Sequence, residues 1–143
     1  MEISFKTIVG SRLYGLNTST SDTDYKGFGL PDVSSIIGLN RQEQDESKSL
    51  EKNEEGTIFS LNKFIHLSMK GNPTVFEVSF ADPKFHVVQT DLGKMVCDFV
   101  KNNLVTKHVF AAYSAYFRAQ QRDSFSQNRT GGRIEFIQKY GFD

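Results

Sequence analysis

Two aspartates near the N-terminus have the residue type and spacing of a metal site. Asp22 and Asp24 are separated by one residue, and on a strand such residues project from the same face. Two carboxylates directed at one point repel each other unless a cation lies between them, and their hard oxygen ligands suit Mg²⁺ or Mn²⁺. We therefore expect Asp22 and Asp24 to bind a divalent metal ion.

A glycine-serine pair upstream of the aspartates has the features of a phosphate-binding turn. Gly10 and Ser11 follow an apolar run, and a turn that opens a helix presents free backbone N–H groups, which bind phosphate. Arg12 and Lys26 adjoin the two motifs and could neutralise phosphate charge. An ordinary turn with exposed aspartates is the alternative, but the occurrence of both motifs in this order favours a metal-nucleotide site.

The elements that must position these residues are predicted from apolar periodicity and from turn residues. In the first part of the chain the pattern predicts strands over residues 2–9, 25–30 and 57–59, short helices over 11–16 and 33–39, and a polar, acidic, mobile loop over 41–56. The second part is helical in pattern. Helices are predicted over 60–70, from Asp91 (as cap) to Val100, from Val109 to Phe117, and over 132–140, with a loop around 122–124 and an ambiguous segment over 74–81.

Strands followed by helices predict a fold of the α/β (α+β) class, with a small mixed β-sheet, helices packed on it and a helical C-terminal half. We expect a catalytic core over residues 1–90 and a helical part over 91–143. At 143 residues the chain has the size of one domain, and its formal net charge is zero. The basic excess lies in residues 101–143, which carry seven basic and three acidic residues, a net charge of +4.

Other features exclude several classes of protein. Cys97 is the single cysteine, so an internal disulfide is impossible, and its apolar neighbours predict a buried thiol. No run of apolar residues has the roughly 20 residues of a membrane span, and the N-terminus lacks a secretory signal pattern, so we expect a cytoplasmic protein without a membrane partner. Tyr113, Tyr116 and Phe117 lie at helical spacing beside arginines; a core stripe is favoured over a nucleic-acid surface.

Four segments resemble a known family. They are Gly10-Ser11-Arg12-Leu13-Tyr14-Gly15, Ser21-Asp22-Thr23-Asp24-Tyr25-Lys26-Gly27, Phe59-Ser60-Leu61-Asn62-Lys63-Phe64 and Lys70-Gly71-Asn72-Pro73-Thr74. Together they resemble the nucleotidyltransferase superfamily typified by DNA polymerase beta. More closely, the chain looks like the RNA repair pathway DNA polymerase beta family of predicted nucleotidyltransferases.

The resemblance implies a role for each matching residue. Asp22 and Asp24 would be the first two metal ligands, and the third carboxylate, usually an Asp, falls on Glu55, with Glu77 as the alternative. Gly10 and Ser11 would cradle the β- and γ-phosphates of a nucleoside triphosphate such as ATP. The other nucleotide-binding residues would be Arg12, Lys26 and Lys63.

The resemblance also implies an activity, the metal-dependent transfer of an NMP to an RNA end. Minimal members of the superfamily attach AMP to a partner protein as antitoxins, so a protein acceptor is the alternative. A non-catalytic binding module is a third reading, because Glu55 replaces the usual Asp. Proteins of the resembled family generally continue past the position that matches Asp143. The resemblance therefore leaves open an incomplete helical part, with a homodimer contact or a missing helical partner.

Overall fold

The structure is a computed structural model, which describes residues 1–37, 46–48 and 55–125. Its strands are β1 (Glu2–Val9), β2 (Asp24–Leu30), β3 (Glu46–Lys48), β4 (Glu55–Ser60) and β5 (His86–Gln89). Its α-helices are α1 (Val33–Ile37), α2 (Leu61–Met69), α3 (Pro73–Phe80), α4 (Asp91–Asn103) and α5 (Lys107–Phe125). Two one-turn 3-10 helices cover Gly10–Arg12 and Pro83–Phe85.

The five described strands form one mixed sheet in the order β3-β4-β2-β1-β5. Strands β2 and β4 are parallel, whereas β1 is antiparallel to both β2 and β5, and β3 is antiparallel to β4. Chain reversals favour antiparallel pairing of β1 with β2, and the longer connection from β2 to β4 permits the parallel pair. The prediction of a small mixed sheet with packed helices is confirmed.

Phenylalanines on the three central strands define the core. Phe28 of β2 is the register partner of Phe5 on β1 and of Phe59 on β4, and these three residues form the aromatic row. Phe28 is 0% exposed, and its ring centroid lies 5.8 Å from that of Phe5 and 4.2 Å from that of Phe64 on α2. Because register partners share a face of the sheet, the aromatic row identifies the face on which the helices pack.

Helix α4 packs closely on β1. Thr90 caps the helix by accepting a hydrogen bond from the Gly93 N–H at 3.1 Å, and its hydroxyl donates to the Ser4 carbonyl at 2.9 Å. A side chain at position 93 would collide with that same carbonyl, so only glycine permits this approach. Asp91, predicted as the cap, lies instead in the first helical turn, where its charge favours the helix dipole. The predicted boundary between residues 90 and 91 stays a prediction.

Helix α3 resolves the segment that the periodicity left ambiguous. Asn72 caps it by accepting from the Thr74 N–H at 2.9 Å, and Pro73 occupies the first turn, where its missing N–H costs no hydrogen bond. After α3 ends at Phe80, the chain continues into the 3-10 turn over Pro83–Phe85 and then into β5. The pattern did not predict β5 because this strand has only four residues.

Three other predictions differ from the structure. The segment 41–56 was expected to be a loop, but β3 and the start of β4 lie within it. Helix α5 continues to Phe125, so the loop expected around residues 122–124 is wrong. The short helix expected over 11–16 is a single 3-10 turn over Gly10–Arg12. The helix expected over 132–140 lies outside the described residues.

Within residues 1–37, 46–48 and 55–125, no helix has both the length and the apolar character needed to span a bilayer.

Candidate nucleotide and metal site

The turn after β1 is in contact with an aspartate of β2. Gly10 has a φ of +70°, a left-handed conformation that favours glycine, and a Cβ built there would lie 2.8 Å from Oδ2 of Asp24. Both the backbone conformation and this proximity therefore require glycine at position 10. The fold thus brings Gly10 next to Asp24, whereas the roles of Gly10, Ser11 and Asp24 in a nucleotide and metal site stay predictions.

Backbone hydrogen bonds hold the residues after Gly10 in a tight turn. The Leu13 and Tyr14 N–H groups both donate to the Gly10 carbonyl, at 3.1 and 3.4 Å, and the Leu16 N–H donates to the Ser11 carbonyl at 2.8 Å. The first N–H groups of such a turn have no partner within it, which is the property that suits them to an anion. Ser11 and Gly10 thus begin the turn beside a carboxylate.

Strand register places a second acidic residue next to Asp24. Asp24 is paired with Val9 of β1 on one side and with Glu55 of β4 on the other. We call these three residues the carboxylate row, after its two acidic members. The row lies four residues along β2 from the aromatic row. For Glu55 the structure describes the backbone position and not the side chain. Its assignment as third metal ligand stays a prediction, which the register favours.

Asp22 lies before β2 rather than on it. The strand begins at Asp24, so strand alternation does not orient Asp22, contrary to the expectation from their spacing. The Arg12 guanidinium instead fixes this segment: it donates to the Ser21 carbonyl at 2.9 Å and to the Asp22 carbonyl at 3.3 Å. Arg12 therefore positions the backbone that carries Asp22, and its predicted contact with a nucleotide stays a prediction.

The loop before Asp22 has its own hydroxyl network. Ser21 Oγ accepts from the Thr18 N–H at 2.8 Å and lies 3.0 Å from Thr18 Oγ1. Thr18 Oγ1 is also within 3.2 Å of Thr20 Oγ1. Such side-chain contacts to neighbouring backbone replace the hydrogen bonds of regular structure, so the loop is defined by its own residues.

Lys26 connects the candidate site to helix α3. It lies two residues after Asp24 on the same face of β2, and its Nζ is 3.8 Å from Oε2 of Glu77. The side chain of Glu77 is 17% exposed, and its carboxylate also lies close enough to the Tyr14 phenol to affect its titration. Partial burial and the nearby Glu77 carboxylate raise the pKa of Tyr14 to about 12, although 63% of the whole residue is exposed. Tyr14 is therefore a neutral hydrogen-bond donor at physiological pH.

The pairing of Lys26 with Glu77 was not predicted. Glu77 was considered only as an alternative metal ligand, and Lys26 only as a phosphate partner. The available signal was one acidic residue inside the apolar run of α3, which requires a cationic or hydrogen-bonding partner when it packs against a sheet. Among the side chains that the structure describes, no group of three potential ligands from His, Cys, Asp and Glu converges.

Lys63 lies in the first turn of α2, directly after β4. Its backbone N–H donates to the Ser60 hydroxyl at 3.2 Å, which caps the helix. The Ser60-Leu61-Asn62-Lys63 segment thus begins a helix at the end of the strand that Glu55 begins. The assignment of Lys63 to nucleotide binding stays a prediction.

An open cavity of about 430 Å³ lies beside the turn and α3. Its walls include residues from the turn, from α3, from the connection between α4 and α5, and from α5, among them Tyr14, Phe76, Glu77, Phe80, Val105 and Tyr113. The Tyr113 hydroxyl donates to the Pro73 carbonyl at 3.1 Å, which joins α5 to the start of α3. Sequence reasoning missed this cavity because its walls come from three separate segments.

Two further side-chain predictions have clear outcomes. Cys97 is buried, and burial raises the pKa of its thiol to about 12, so it is a structural residue rather than a nucleophile. The aromatic residues of α5 are not a core stripe: Tyr116 and Phe117 are 50% and 63% exposed. That interpretation was wrong, because Val109 alone of its apolar face is fully buried among the described residues of α5.

Comparisons with known proteins agree with these features. A family model described as the RNA repair pathway DNA polymerase beta family matches residues 1–140. The chain is 29% identical over 129 residues to the "Uncharacterized 38.9 kDa protein in nrdC-mobD intergenic region" of Enterobacteria phage T4. This match covers 84% of the chain and 38% of the phage protein. No solved structure matches the chain significantly. Because the family model spans almost the whole chain, this protein belongs to the RNA repair pathway DNA polymerase beta family.

Proposed function

We propose that this protein is a metal-dependent nucleotidyltransferase, which moves a nucleoside monophosphate from a nucleoside triphosphate to an RNA end. The observation that carries the proposal is the contact between the phosphate-type turn and Asp24, where a Cβ on Gly10 would lie 2.8 Å from Oδ2. Membership of a DNA polymerase beta family supports the reaction, and the family's description is the support for RNA as the acceptor.

The reaction defines what the site must do. A bond forms between an acceptor hydroxyl oxygen and the α-phosphorus, and the bond from the α-phosphorus to the oxygen that bridges to the β-phosphate breaks. The electron pair of the broken bond leaves with pyrophosphate, and the acceptor hydroxyl loses its proton. Because negative charge grows on the phosphate oxygens, the protein contributes position and positive charge.

The residues that would hold Mg²⁺ or Mn²⁺ are Asp22, Asp24 and Glu55. Their carboxylates are hard oxygen donors, and the register of β2 and β4 places Glu55 beside Asp24, so the donor set fits these ions. When bound there, divalent cations stabilise the charge on the entering and leaving oxygens. Adjacent carboxylates without a cation would repel each other, which is the physical reason to place the ion at this row.

Other residues of the site have binding and positioning roles. The N–H groups of Gly10 and Ser11 bind the β- and γ-phosphates, and Lys26 and Lys63 add positive charge. Arg12 holds the Ser21 and Asp22 carbonyls, so it orients the segment that carries the first aspartate. A carboxylate of the row accepts the proton of the acceptor hydroxyl.

The test is transfer of label from each α-labelled nucleoside triphosphate, with Mg²⁺ or Mn²⁺, to RNA or to protein. We expect the native chain to label RNA and Asp24→Asn to lose ~100-fold or more of this rate, because even outer-shell partners of a metal contribute 10–100-fold. Asp91→Asn is the matched control, because this substitution removes the same charge from an exposed position on α4, away from the site.

The possible outcomes separate the proposals. Label in a protein band, and none in RNA, would keep the transferase and replace the acceptor by a partner protein. Metal-dependent triphosphate binding without transfer would contradict the catalytic role and indicate a binding module. Absence of both binding and transfer in a folded chain would contradict the nucleotide site itself.

A further inference from the structure

Two links connect the cavity beside α3 to the candidate phosphate site: one runs along the backbone of the turn, and the other is an ion pair. Tyr14, on its wall, donates its N–H to the Gly10 carbonyl at 3.4 Å, so the cavity and the turn share one short segment. Glu77 also lines the cavity, and its carboxylate is paired with the Lys26 ammonium at 3.8 Å. Lys26 is two residues from Asp24, about 7 Å along the strand. The cavity wall is therefore linked to the carboxylate row through Lys26 and through the turn that begins at Gly10.

Aromatic rings form much of the cavity wall. Phe76 is buried, and its ring centroid lies 6.3 Å from that of Phe80 and 6.3 Å from that of Tyr113. The hydrogen bond from the Tyr113 hydroxyl to the Pro73 carbonyl holds this ring in place. Rings of this kind stack on the planar faces of nucleobases, and the volume of about 430 Å³ is within the usual range of small-molecule sites.

Glu77 is the charged group of this apolar wall. Its carboxylate is paired with Lys26 at 3.8 Å, and a carboxylate has about four lone-pair sites, so capacity for further donors remains. An ionised carboxylate accepts hydrogen bonds and donates none. It is therefore matched to the amino groups of adenine, cytosine and guanine, and mismatched to the carbonyl oxygen that uracil carries at the equivalent position.

We propose that this cavity binds the base of the nucleotide and that Glu77 selects bases with an exocyclic amino group. Guanine is favoured most, because its amino group and adjacent ring N–H present two parallel donors to one carboxylate. This inference rests on the proposed function, since the phosphates must occupy the Gly10-Ser11 turn for the base to reach the cavity.

The test is equilibrium binding of GTP, ATP, CTP, UTP and inorganic triphosphate, each with Mg²⁺ and without acceptor. We expect GTP to bind tightest and UTP weakest, with a ratio of about tenfold or more. Glu77→Gln should reduce that ratio about tenfold and raise the relative affinity for UTP, because a carboxamide also donates. A merely structural role of Glu77 would weaken all nucleotides equally. Glu2→Gln, at an exposed position of β1, is the matched control.

A second variant examines the cavity without changing charge. Phe80 is on the cavity wall and 54% exposed, so Phe80→Ala removes an aromatic ring from the cavity at little cost to the core. We expect this variant to weaken the four nucleotides several-fold and to leave inorganic triphosphate unchanged, because base stacking is lost and the phosphate contacts are kept.

The outcomes distinguish this inference from the proposed function. Equal affinity of the native chain for all four nucleotides, with binding lost in Asp24→Asn, would overturn base selection and keep the nucleotide site. Discrimination against UTP that persists in Glu77→Gln would overturn the role of Glu77. If neither the nucleotides nor inorganic triphosphate bind, both the inference and the proposed function are wrong.

Discussion

The aromatic row and the carboxylate row cross the same three strands on the same face of the sheet, and they differ in what completes them. In the aromatic row, Phe28 is 0% exposed and its neighbours are rings of the strands and of α2. In the carboxylate row, Asp24 is partly exposed and its neighbour on β4 is Glu55. Apolar packing satisfies the first row, whereas adjacent acidic residues favour a cation.

This difference separates stability from function along one set of strands. Substitutions in the aromatic row remove buried contacts, so they lower the free energy of unfolding. Substitutions of the acidic residues in the carboxylate row remove a charge from the proposed metal site, so we expect them to lower the proposed activity without a comparable loss of stability. Four residues along a strand therefore separate a position that maintains the fold from one that serves the proposed reaction.

The largest expected effect is on the aromatic row. Phe28→Ala should lower the free energy of unfolding by about 3–5 kcal/mol, because the ring is fully buried and its removal leaves a cavity. Urea denaturation measures this change. Asp24→Asn, on the same strand, should change the free energy of unfolding by less than about 1 kcal/mol. Similar losses in the two variants would contradict the contrast between the rows.

A smaller effect is expected at the turn that contacts the carboxylate row. Gly10→Ala should lower the free energy of unfolding by about 1–3 kcal/mol, because φ is +70° and the new Cβ would lie 2.8 Å from Asp24 Oδ2. Displacement of this carboxylate should also weaken binding of a magnesium-nucleotide complex, as measured by calorimetry.

Gly15→Ala is the matched control for this prediction. Gly15 has almost the same φ, +69°, but a Cβ there would have no heavy atom within 4 Å. Gly15→Ala should lower the free energy of unfolding through backbone strain, and it should leave binding of the magnesium-nucleotide complex unchanged. Equal loss of binding in both variants would mean that turn strain, and not the contact with Asp24, explains the effect.

Much of the sheet was predictable because its signals are local. The apolar alternation of residues 2–9 predicted β1, and β2 differs from its prediction by one residue, Asp24. By contrast, β5 is a short edge strand with little pattern of its own, and β3 lies in a polar segment. Both depend on pairing with a neighbouring strand, which a single-sequence pattern does not contain.

The candidate site shows the same limit. The order of the glycine-serine pair and the aspartates predicted that they serve one site, and the antiparallel pairing of β1 with β2 brings Gly10 next to Asp24. The ion pair of Lys26 with Glu77 was not predictable. These residues lie on β2 and α3, which are separated along the chain by α1, β3, β4 and α2, and only the packing of α3 on the sheet brings them together.

The smallest expected effect is on the titration of the Tyr14 phenol. The pKa of Tyr14 is raised from 10.0 to about 12, first by burial of the phenol and then by the Glu77 carboxylate. Because the folded-state pKa is the higher one, the stabilisation is present below pH 10 and is lost as pH rises toward 12. Burial and Glu77 also raise the pKa of Tyr113, so phenolate absorbance should show late titration from both tyrosines. Tyr14→Phe should remove part of this late component, and Glu77→Gln should lower its apparent pKa only partly, because burial is the larger cause at each phenol. Glu2→Gln should leave the late component unchanged, with circular dichroism used to verify that each chain is folded at every pH. A late component of undiminished amplitude in Tyr14→Phe would mean that the phenol of Tyr14 is not perturbed by burial and Glu77.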